Sequence, residues 1–253
     1  MRAFRLLIFS FFLILNSFFR GFAQQNFVNV PSCEETPEKK FFCQQQFNFN
    51  RLQYQFNTTI DYGFGHEFEL GFNLFGFNYL KNLERLETND QPGNGPLEPQ
   101  ILINGQKFFR ISDRFRLGTG LQFGTAMVRM AGKRTWAGMV YSNVRYAGPG
   151  EKCKMVLGFF GANAAYSGEK NHPGLMAGFE FRILKKFFLV GDVLTGSPYL
   201  NAATLGCIWF PRPQYPVTFA WQMPWKESKN LQAFVLELTY APLIHLKKRH
   251  EPE

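Results

Sequence analysis

The histidines of this chain are few and stand apart from one another. His66, His172, His245 and His250 are the complete set, and none has Ser two residues later, the spacing expected of barrel lipases and deacylases. The sequence also contains no Gly-x-Ser-x-Gly, no His-Glu-x-x-His and no phosphate-binding loop. His66 could act as a lone metal ligand, but it lacks partner ligands. These residue types therefore predict no enzyme activity, no catalytic residue, no metal site and no cofactor.

Two cysteines are close enough in sequence to pair. Cys33 and Cys43 lie ten residues apart in a polar segment, residues 32–46. In an oxidising compartment such a pair predicts a disulfide that closes an exposed loop. A metal site is disfavoured here because no His lies nearby. Cys153 and Cys207 fall on separate predicted strands, where a small apolar side chain is the simpler interpretation.

A set of charged residues alternates with apolar residues, which is the pattern expected of a channel lining. Two interpretations are open. The charges could form a selectivity ring that faces solutes, or they could form ion pairs that fill a narrow barrel, such as Arg114 and Arg116 beside Glu67 and Glu69. The residues predicted to face the lumen are Asp61, Glu67, Glu69, Arg114, Arg116, Arg145, Glu180, Arg182, Asp192 and Glu237.

That assignment depends on strands, and a repeat of two residues dominates the chain from Arg51 onward. Apolar and Thr side chains at the even positions of 52–62 alternate with polar ones at the odd positions. A second alternating run follows Gly63-Phe64-Gly65, so this region is predicted to be a hairpin of long strands. Further strands are predicted at 100–111, 114–129, 134–147, 153–166, 174–184, 186–196, 199–210, 216–224 and 231–241.

The length of these strands indicates a membrane protein. Strands of globular proteins cluster near about five or six residues, whereas a transmembrane strand needs about 9–11. One face of each predicted strand is apolar and aromatic, and the other carries Gly, Ala, Asn, Gln and charge. In lipid the apolar face points outward. The sequence therefore predicts an all-β fold, an antiparallel transmembrane β-barrel of about 12 strands, within a range of 10–12.

Short and longer connections alternate along the chain, which sets an orientation. Barrels of the outer membrane keep short turns on the periplasmic side, so the turns near residues 62–65, 112–113, 149, 185–186 and 212 are assigned to that side. The strand at 51–62 then runs downward, and an upward strand must precede it. Asn26 to Val30 is the candidate, and it makes the number of strands even.

The N-terminus has the three regions of a secretory signal peptide: a basic start, an apolar run from Leu6 to Leu15, and small residues at Gly21 and Ala23. The predicted organisation is a signal peptide at 1–23, a first strand and Cys-containing loop at 24–50, the main part of the barrel at 51–241, and a polar basic tail at 242–253.

The composition indicates a folded protein and gives little sign of nucleic-acid binding. The 253 residues are 45% hydrophobic and include 31 Phe, which excludes disordered and collagen-like classes. A mean hydropathy of −0.19 excludes a bundle of transmembrane helices. The formal charge of +9 falls partly in Lys247-Lys248-Arg249, which is interpreted as a solvated tail. No nucleic-acid partner is expected.

Three segments carry a family resemblance: residues 60–71 with Tyr62-Gly63 before a short turn, residues 174–196 with the Lys185-Lys186 turn, and the closing run 234–240. Together they resemble small outer-membrane barrels classed as transporters of the phenol-degradation type. The resemblance implies a barrel of roughly twelve strands with an unknown substrate. The polar tail after Tyr240 departs from the terminal aromatic residue usual in such barrels.

The expected function is passage of a small solute across the outer membrane of a Gram-negative cell by a porin-like transport barrel. The expected partners are membrane lipid and lipopolysaccharide, the outer-membrane assembly machinery and an unknown small solute. A second hypothesis is a non-conducting structural or surface-interaction barrel whose long loop, residues 82–99, binds a partner. A third, an outer-membrane lipid-modifying enzyme, is the least supported.

Overall fold

A computed structural model of the protein describes residues 27–91, 93–225 and 227–242. Twelve of its strands close into one antiparallel barrel, and a short thirteenth, β4, pairs only with the strand before it. The strands are β1 (Phe41–Phe49), β2 (Gln53–Gly65), β3 (Phe68–Leu80), β4 (Arg85–Glu87), β5 (Gln100–Arg110), β6 (Phe115–Met130), β7 (Lys133–Ala147), β8 (Cys153–Ala162), β9 (His172–Leu184), β10 (Phe187–Leu194), β11 (Ala202–Arg212), β12 (Tyr215–Pro224) and β13 (Ala233–Tyr240).

The alternation of side chains fixes which face of each strand points outward. In β8, Leu157 and Phe159 are 66% and 63% exposed, whereas Val156, just before them, and Phe160, just after them, are buried. An apolar outer surface of this kind is suited to hydrocarbon and not to water. The sequence pattern therefore predicted the two faces of the barrel because burial in a barrel follows the two-residue period of the strand.

The barrel closes where the first strand meets the last. β1 pairs with β13 from Cys43↔Tyr240 to Phe49↔Phe234, and on its other side β1 pairs with β2. The rings of Phe49 and Phe234 stack across this junction with their centroids 6.3 Å apart. No sheet edge is left along the ring, so the backbone hydrogen-bonding groups are paired within the barrel.

The two ends of the barrel differ in the length of the connections between strands. At one end, which we call the short-turn end, tight turns join β2 to β3, β9 to β10 and β11 to β12, and β1 begins and β13 ends there. At the opposite long-loop end, residues 81–99 and 225–232 make the longer connections. The end also holds a single-turn helix, α1 (Ala164–Ser167), where the predicted strand 153–166 was too long. No helix in the described ranges is long and apolar enough to cross a membrane.

One predicted strand is wrong. Residues 27–30 form bends and not a strand, and Asn26 lies outside the described residues. The strand that completes the barrel is β1, eleven residues further along the chain. Residues 27–36, which we call the lumen segment, instead lie inside the barrel. The predicted signal peptide at 1–23 and residues 243–253 of the predicted tail also lie outside the described residues.

The core of the protein is inside the barrel. Phe27, Val28 and Val30 of the lumen segment are fully buried and belong to one apolar cluster with inward-facing side chains of the wall. That cluster includes Phe108, Phe188, Val190, Ile208, Phe210 and Val235. The lumen segment therefore packs on the barrel interior as the second layer of a core would.

Candidate functional site

The lumen segment is fixed to the wall by a carboxylate. Asp192, which points inward from β10, accepts hydrogen bonds through Oδ2 from the backbone N–H groups of Val28 at 2.9 Å and Val30 at 3.1 Å, and also from that of Asn29. A single carboxylate oxygen of Asp192 therefore holds three consecutive backbone N–H groups of the lumen segment.

A second anchor is an ionic cluster around Glu34. The Glu34 carboxylate pairs with the Arg145 guanidinium and lies 3.2 Å from Lys154 Nζ, which in turn lies 3.6 Å from Glu180. All of these side chains are less than 5% exposed. Burial opposes ionisation of Glu34, but Lys154, Arg145 and Arg116 outweigh it and lower the pKa of the carboxyl. Two acids and two bases therefore neutralise one another inside the lumen.

Cys33 and Cys43 do not form the predicted disulfide, since both are free thiols. Cys33 is buried in the lumen segment with its Sγ 2.8 Å from Asn143 Oδ1. Burial raises the pKa of this thiol to about 12. Cys43 lies in β1 at a position whose neighbours Phe42 and Gln44 face inward, so its own side chain faces out. The barrel wall separates the two sulfurs, which sequence spacing alone could not reveal.

Glycines on the wall make room for the lumen segment. A Cβ at Gly178 would lie 2.2 Å from Cδ2 of Phe27, and one at Gly118 would lie 2.9 Å from Sγ of Cys33. At the short-turn end, a Cβ at Gly63 would lie 2.2 Å from the Thr36 carbonyl oxygen. Backbone can approach this closely only where a side chain is missing. These inward-facing glycines therefore lie where the lumen segment contacts the wall.

The ten charges predicted to face the lumen occupy three environments. Arg116 and Arg182 are half-buried, and the Arg182 guanidinium lies 5.2 Å from the centre of the Phe188 ring. Glu67 and Arg114 lie in turns at the short-turn end, outside the strands to which the alternation argument applies. The buried inward-facing members are Asp61, Glu69, Arg145, Glu180, Asp192 and Glu237.

The buried charges have partners both in the wall and in the lumen segment. Glu69 accepts a hydrogen bond from the Thr36 backbone N–H at 2.7 Å and another from Gln106 Nε2 at 2.8 Å. Arg145 pairs with Glu34, whereas Glu180 pairs with Lys154 across the neighbouring strands β8 and β9. Three of the six buried charges, Glu69, Arg145 and Asp192, therefore contact the lumen segment. Glu34 and Lys154 were missed from the sequence, although Lys154 follows the same inward parity as Val156.

A cavity of about 500 Å³ fills the long-loop half of the lumen. Val28, Asn29 and Pro31 of the lumen segment form its floor, and exposed residues such as Asn94 and Lys229 line its mouth. Fifteen of the 37 described residues that line it are Asn or Gln. We call this space the vestibule. Sequence analysis missed it, although inward-facing amides recur in β1 and β2 as Gln44, Gln46, Asn48, Gln53 and Gln55 in the printed sequence.

The amides of the vestibule wall form a continuous relay of hydrogen bonds. Gln46 Nε2 donates to Asn48 Oδ1 at 3.0 Å, and Asn48 Nδ2 donates to Gln55 Oε1 at 2.9 Å. The relay then reaches Glu98, which accepts from Gln55 at 3.5 Å and from Asn78 at 2.6 Å. Such a chain holds each amide in one orientation, so the lining is preorganised.

The last part of the long loop, residues 95–99, folds over the lumen. Leu97, Glu98 and Pro99 are buried, and the Leu97 backbone N–H donates to the Ala165 carbonyl of α1 at 2.9 Å. Burial raises the pKa of Glu98 to about 8, although the hydrogen bond from Asn78 acts in the opposite direction. The loop thus supplies one wall of the vestibule.

Solved structures with the same architecture are outer-membrane porins. The KdgM porin superposes with a TM-score of 0.55 at 7% identity, over 79% of this chain and 99% of that chain. The chain has a porin fold. A KdgM porin in complex with disordered oligogalacturonate gives 0.54 at 7% identity over 79% and 99%, and the NanC porin gives 0.55 at 8% identity over 80% and 98%.

These porins are similar to the chain in fold alone, because the identities are low. No protein-family model matches the sequence, and no curated protein matches it. The narrower resemblance to barrels of the phenol-degradation type is not confirmed. Within the described residues of this porin-like barrel, no group of three or more His, Cys, Asp or Glu side chains is arranged to hold a metal ion.

Proposed function

We propose that this porin-like barrel is an outer-membrane channel that admits a small polar solute from the long-loop end and is closed by its lumen segment. The observation that carries the proposal is the vestibule, a polar cavity that is open at its mouth and whose floor is the lumen segment. Passage of a solute then requires that residues 27–36 move, because Phe27, Val28 and Val30 are buried inside the barrel against inward-facing side chains of the wall.

The outer surface supports a place in the outer membrane. Exposed Leu157, Phe159 and Leu175 face away from the lumen on β8 and β9, while charged residues of the same strands point inward. Lipid and lipopolysaccharide are the partners that this surface suits, and the outer-membrane assembly machinery is the partner needed to insert it. In this proposal the long-loop end faces outward, as in barrels with short periplasmic turns.

The contacts of the lumen segment are suited to a gate because none is covalent. The Asp192 anchor consists of hydrogen bonds, and the Glu34 cluster consists of ion pairs. Ion pairs of this kind can be broken and formed again, and the four charges are neutral in sum. The channel should conduct only when the lumen segment leaves its position inside the barrel.

A removable covalent lock tests the proposal. The Cβ of a residue at 118 would lie 3.6 Å from Cβ of Cys33, within the range of about 3.5–4.5 Å found in disulfides. Gly118→Cys should therefore form a disulfide with Cys33 that fastens the lumen segment to β6. In planar bilayers the oxidised variant should show no channel openings, and reduction with dithiothreitol should restore the openings of the wild type.

Two controls separate the lock from the effect of a larger side chain. Gly118→Ser adds a side chain of similar size that cannot bridge, and Gly118→Cys combined with Cys33→Ser has no partner thiol. Both should conduct regardless of redox state. Equal conductance of the oxidised and reduced Gly118→Cys protein, with the disulfide verified by mass spectrometry, would show that the lumen segment is not the gate.

The second candidate is a non-conducting barrel, and the burial of the lumen segment inside the barrel favours it. In that case the protein captures or presents a ligand at its long-loop end without passage. Absence of openings in the wild type, in the reduced lock variant and in both serine controls would support this candidate over the channel.

A further inference from the structure

We infer that the vestibule binds a small neutral saccharide, an inference that rests on the proposed function for the route of entry but not for the binding itself. The geometry that points to it is a large cavity in which 15 of the 37 described lining residues are Asn or Gln, several of them held in one orientation by hydrogen bonds. Ligand pockets commonly have volumes of about 300–1,000 Å³ and are mostly apolar with a few polar groups. At about 500 Å³ this cavity has the usual size, but it has many more polar side chains than a usual ligand pocket.

The amide lining suits hydroxyl groups because both kinds of group donate and accept hydrogen bonds. Each Asn or Gln offers two N–H donors and an oxygen with two lone pairs, and each sugar hydroxyl both donates and accepts. In the relay, Asn48 uses one donor on Gln55 and one acceptor position for Gln46. Its other donor and acceptor positions can serve a ligand. A ligand with many hydroxyls makes use of such a wall, whereas an apolar ligand would leave buried amides unpaired.

The charges of the vestibule argue for a neutral ligand. Among the described lining residues, Glu87, Glu98 and Lys229 are the ones with ionisable acidic or basic side chains. Lys229 Nζ pairs with the Glu169 carboxylate at the mouth. Glu98 holds its proton near neutral pH, because burial raises its pKa to about 8. No excess of positive charge is therefore available in this lining to compensate an acidic sugar.

The remaining lining offers flat apolar surface against which a sugar ring can lie. Phe75 and Tyr166 stack with their ring centres 6.1 Å apart, and both line the vestibule. The Tyr166 hydroxyl donates to Gln122 Oε1 at 2.9 Å, which fixes the ring. Tyr199 lies at the mouth, where its hydroxyl donates to the Gly93 carbonyl at 2.7 Å. Polar walls with fixed aromatic faces suit a ligand that has hydroxyl edges and C–H faces.

Calorimetric titration of the purified barrel tests the inference. The protein should be kept in a detergent without sugar headgroups, such as lauryldimethylamine oxide, so that the detergent cannot compete. The probes are maltotriose, trigalacturonic acid and a tripeptide blocked at both ends. Maltotriose should bind with a Kd of about 1 mM or lower, and the other two should bind at least tenfold more weakly.

Two variants link the binding to the relay. Asn48→Leu and Gln55→Leu should each weaken maltotriose binding about tenfold or more, the cost of losing hydrogen bonds in a desolvated site. Gln45→Leu is the matched control, because Gln45 lies in the same strand with its side chain on the outer face. Heat-modified migration in gels checks that each variant is folded, and having two relay variants keeps the test valid if one fails to fold.

The outcomes separate this inference from the channel. Equal or tighter binding of trigalacturonic acid or of the blocked tripeptide, no binding of maltotriose, or equal effects of Asn48→Leu and Gln45→Leu would each overturn the saccharide site. Maltotriose binding by a barrel that never conducts would leave the saccharide site in place and remove the channel. Conductance without maltotriose binding would support the channel and overturn the saccharide site.

Discussion

Lys154 Nζ lies 3.2 Å from the Glu34 carboxylate, and both side chains are inside the barrel. One belongs to the wall and the other to the lumen segment. Because Glu34 also pairs with Arg145, this single carboxylate compensates two buried cations of the wall. Removing one partner of a buried ion pair costs about 3–5 kcal/mol, since the remaining charge stays uncompensated. The binding of the lumen segment to the barrel wall therefore depends strongly on Glu34.

Glu34→Gln should release the lumen segment. The neutral side chain leaves Arg145 and Lys154 with Glu180 as their main buried acid, so the segment loses much of its attraction to the wall. In a background of Cys43→Ala, Cys153→Ala and Cys207→Ala, the rate of maleimide labelling of Cys33 should rise roughly tenfold or more. Wild-type Cys33 should label slowly because it is buried and its pKa is about 12.

Glu38→Gln is the control for that change. Glu38 lies just after the lumen segment and is exposed, with Lys39 as its partner at 3.4 Å. Its replacement should leave the labelling rate unchanged, since exposed ion pairs contribute little. Fast labelling of Cys33 in the folded wild type would contradict burial of the lumen segment inside the barrel.

Gly178→Ala should loosen the start of the lumen segment. The new Cβ would lie 2.2 Å from the Phe27 ring, so the ring must move out of its place. Overpacking of this kind costs about 1–3 kcal/mol. Amide hydrogen exchange of residues 27–36 should become faster. Gly161→Ala is the comparison, because its Cβ would meet only Val140 Cγ2 at 4.0 Å, and equal exchange in the two variants would argue against the contact.

The stability of the barrel should fall as pH rises between about 4.5 and 8, owing to Glu98. The folded state keeps this carboxyl protonated up to its raised pKa of about 8, whereas the unfolded chain releases the proton near the ordinary value of 4.5. The folded state therefore binds more protons in this window. The free energy of unfolding should decrease by up to about 1.4 kcal/mol per pH unit from this group.

Denaturant unfolding at several pH values measures this slope. Glu98→Gln should flatten it, because the amide cannot ionise. Glu84→Gln, which changes an exposed residue of the same long loop, should retain the wild-type slope. An unchanged slope in Glu98→Gln would mean that the carboxyl is not protonated in the folded state.

Leu157→Arg should destabilise the inserted barrel. Leu157 is 66% exposed near the middle of β8 and faces away from the lumen. A basic residue facing lipid at mid-depth costs roughly 2–4 kcal/mol. Unfolding from lipid vesicles should show this loss, and Leu83→Arg, at an exposed position of the long loop, should be nearly neutral. A similar effect at both sites would remove Leu157 from the lipid-facing band.

The barrel strands from Gln53 onward could be predicted because each has an apolar outer face and a face toward the lumen, which gives a repeat of two residues. β1 was missed because five of its nine residues are Gln, Asn or Cys, which is typical of a polar loop. Its Phe47-Asn48-Phe49 alternation was the available signal. Residues 27–30 were mistaken for a strand, since Val28 and Val30 alternate with polar residues in the sequence whether they face lipid or the lumen core.

The site was less predictable than the fold. Alternation placed Arg145 and Asp192 on inward positions, but their partners come from a segment more than a hundred residues away in sequence. Patterns within one stretch of sequence do not predict contacts between such distant residues. The vestibule was missed for a similar reason: the relay joins Asn48 to Glu98 across separate elements, and only the closed ring brings their amides and carboxyl together.

The pairing of β1 with β13 has a consequence for how the protein folds. The seam joins the two ends of the barrel sequence, from Cys43↔Tyr240 to Phe49↔Phe234, so it can form only after all other strands have been made. Contacts between such distant parts of a chain form slowly. The lumen segment precedes β1 in the chain, so it is synthesised before any strand of the barrel. It can therefore be in place on the growing sheet when β1 and β13 pair and close the barrel.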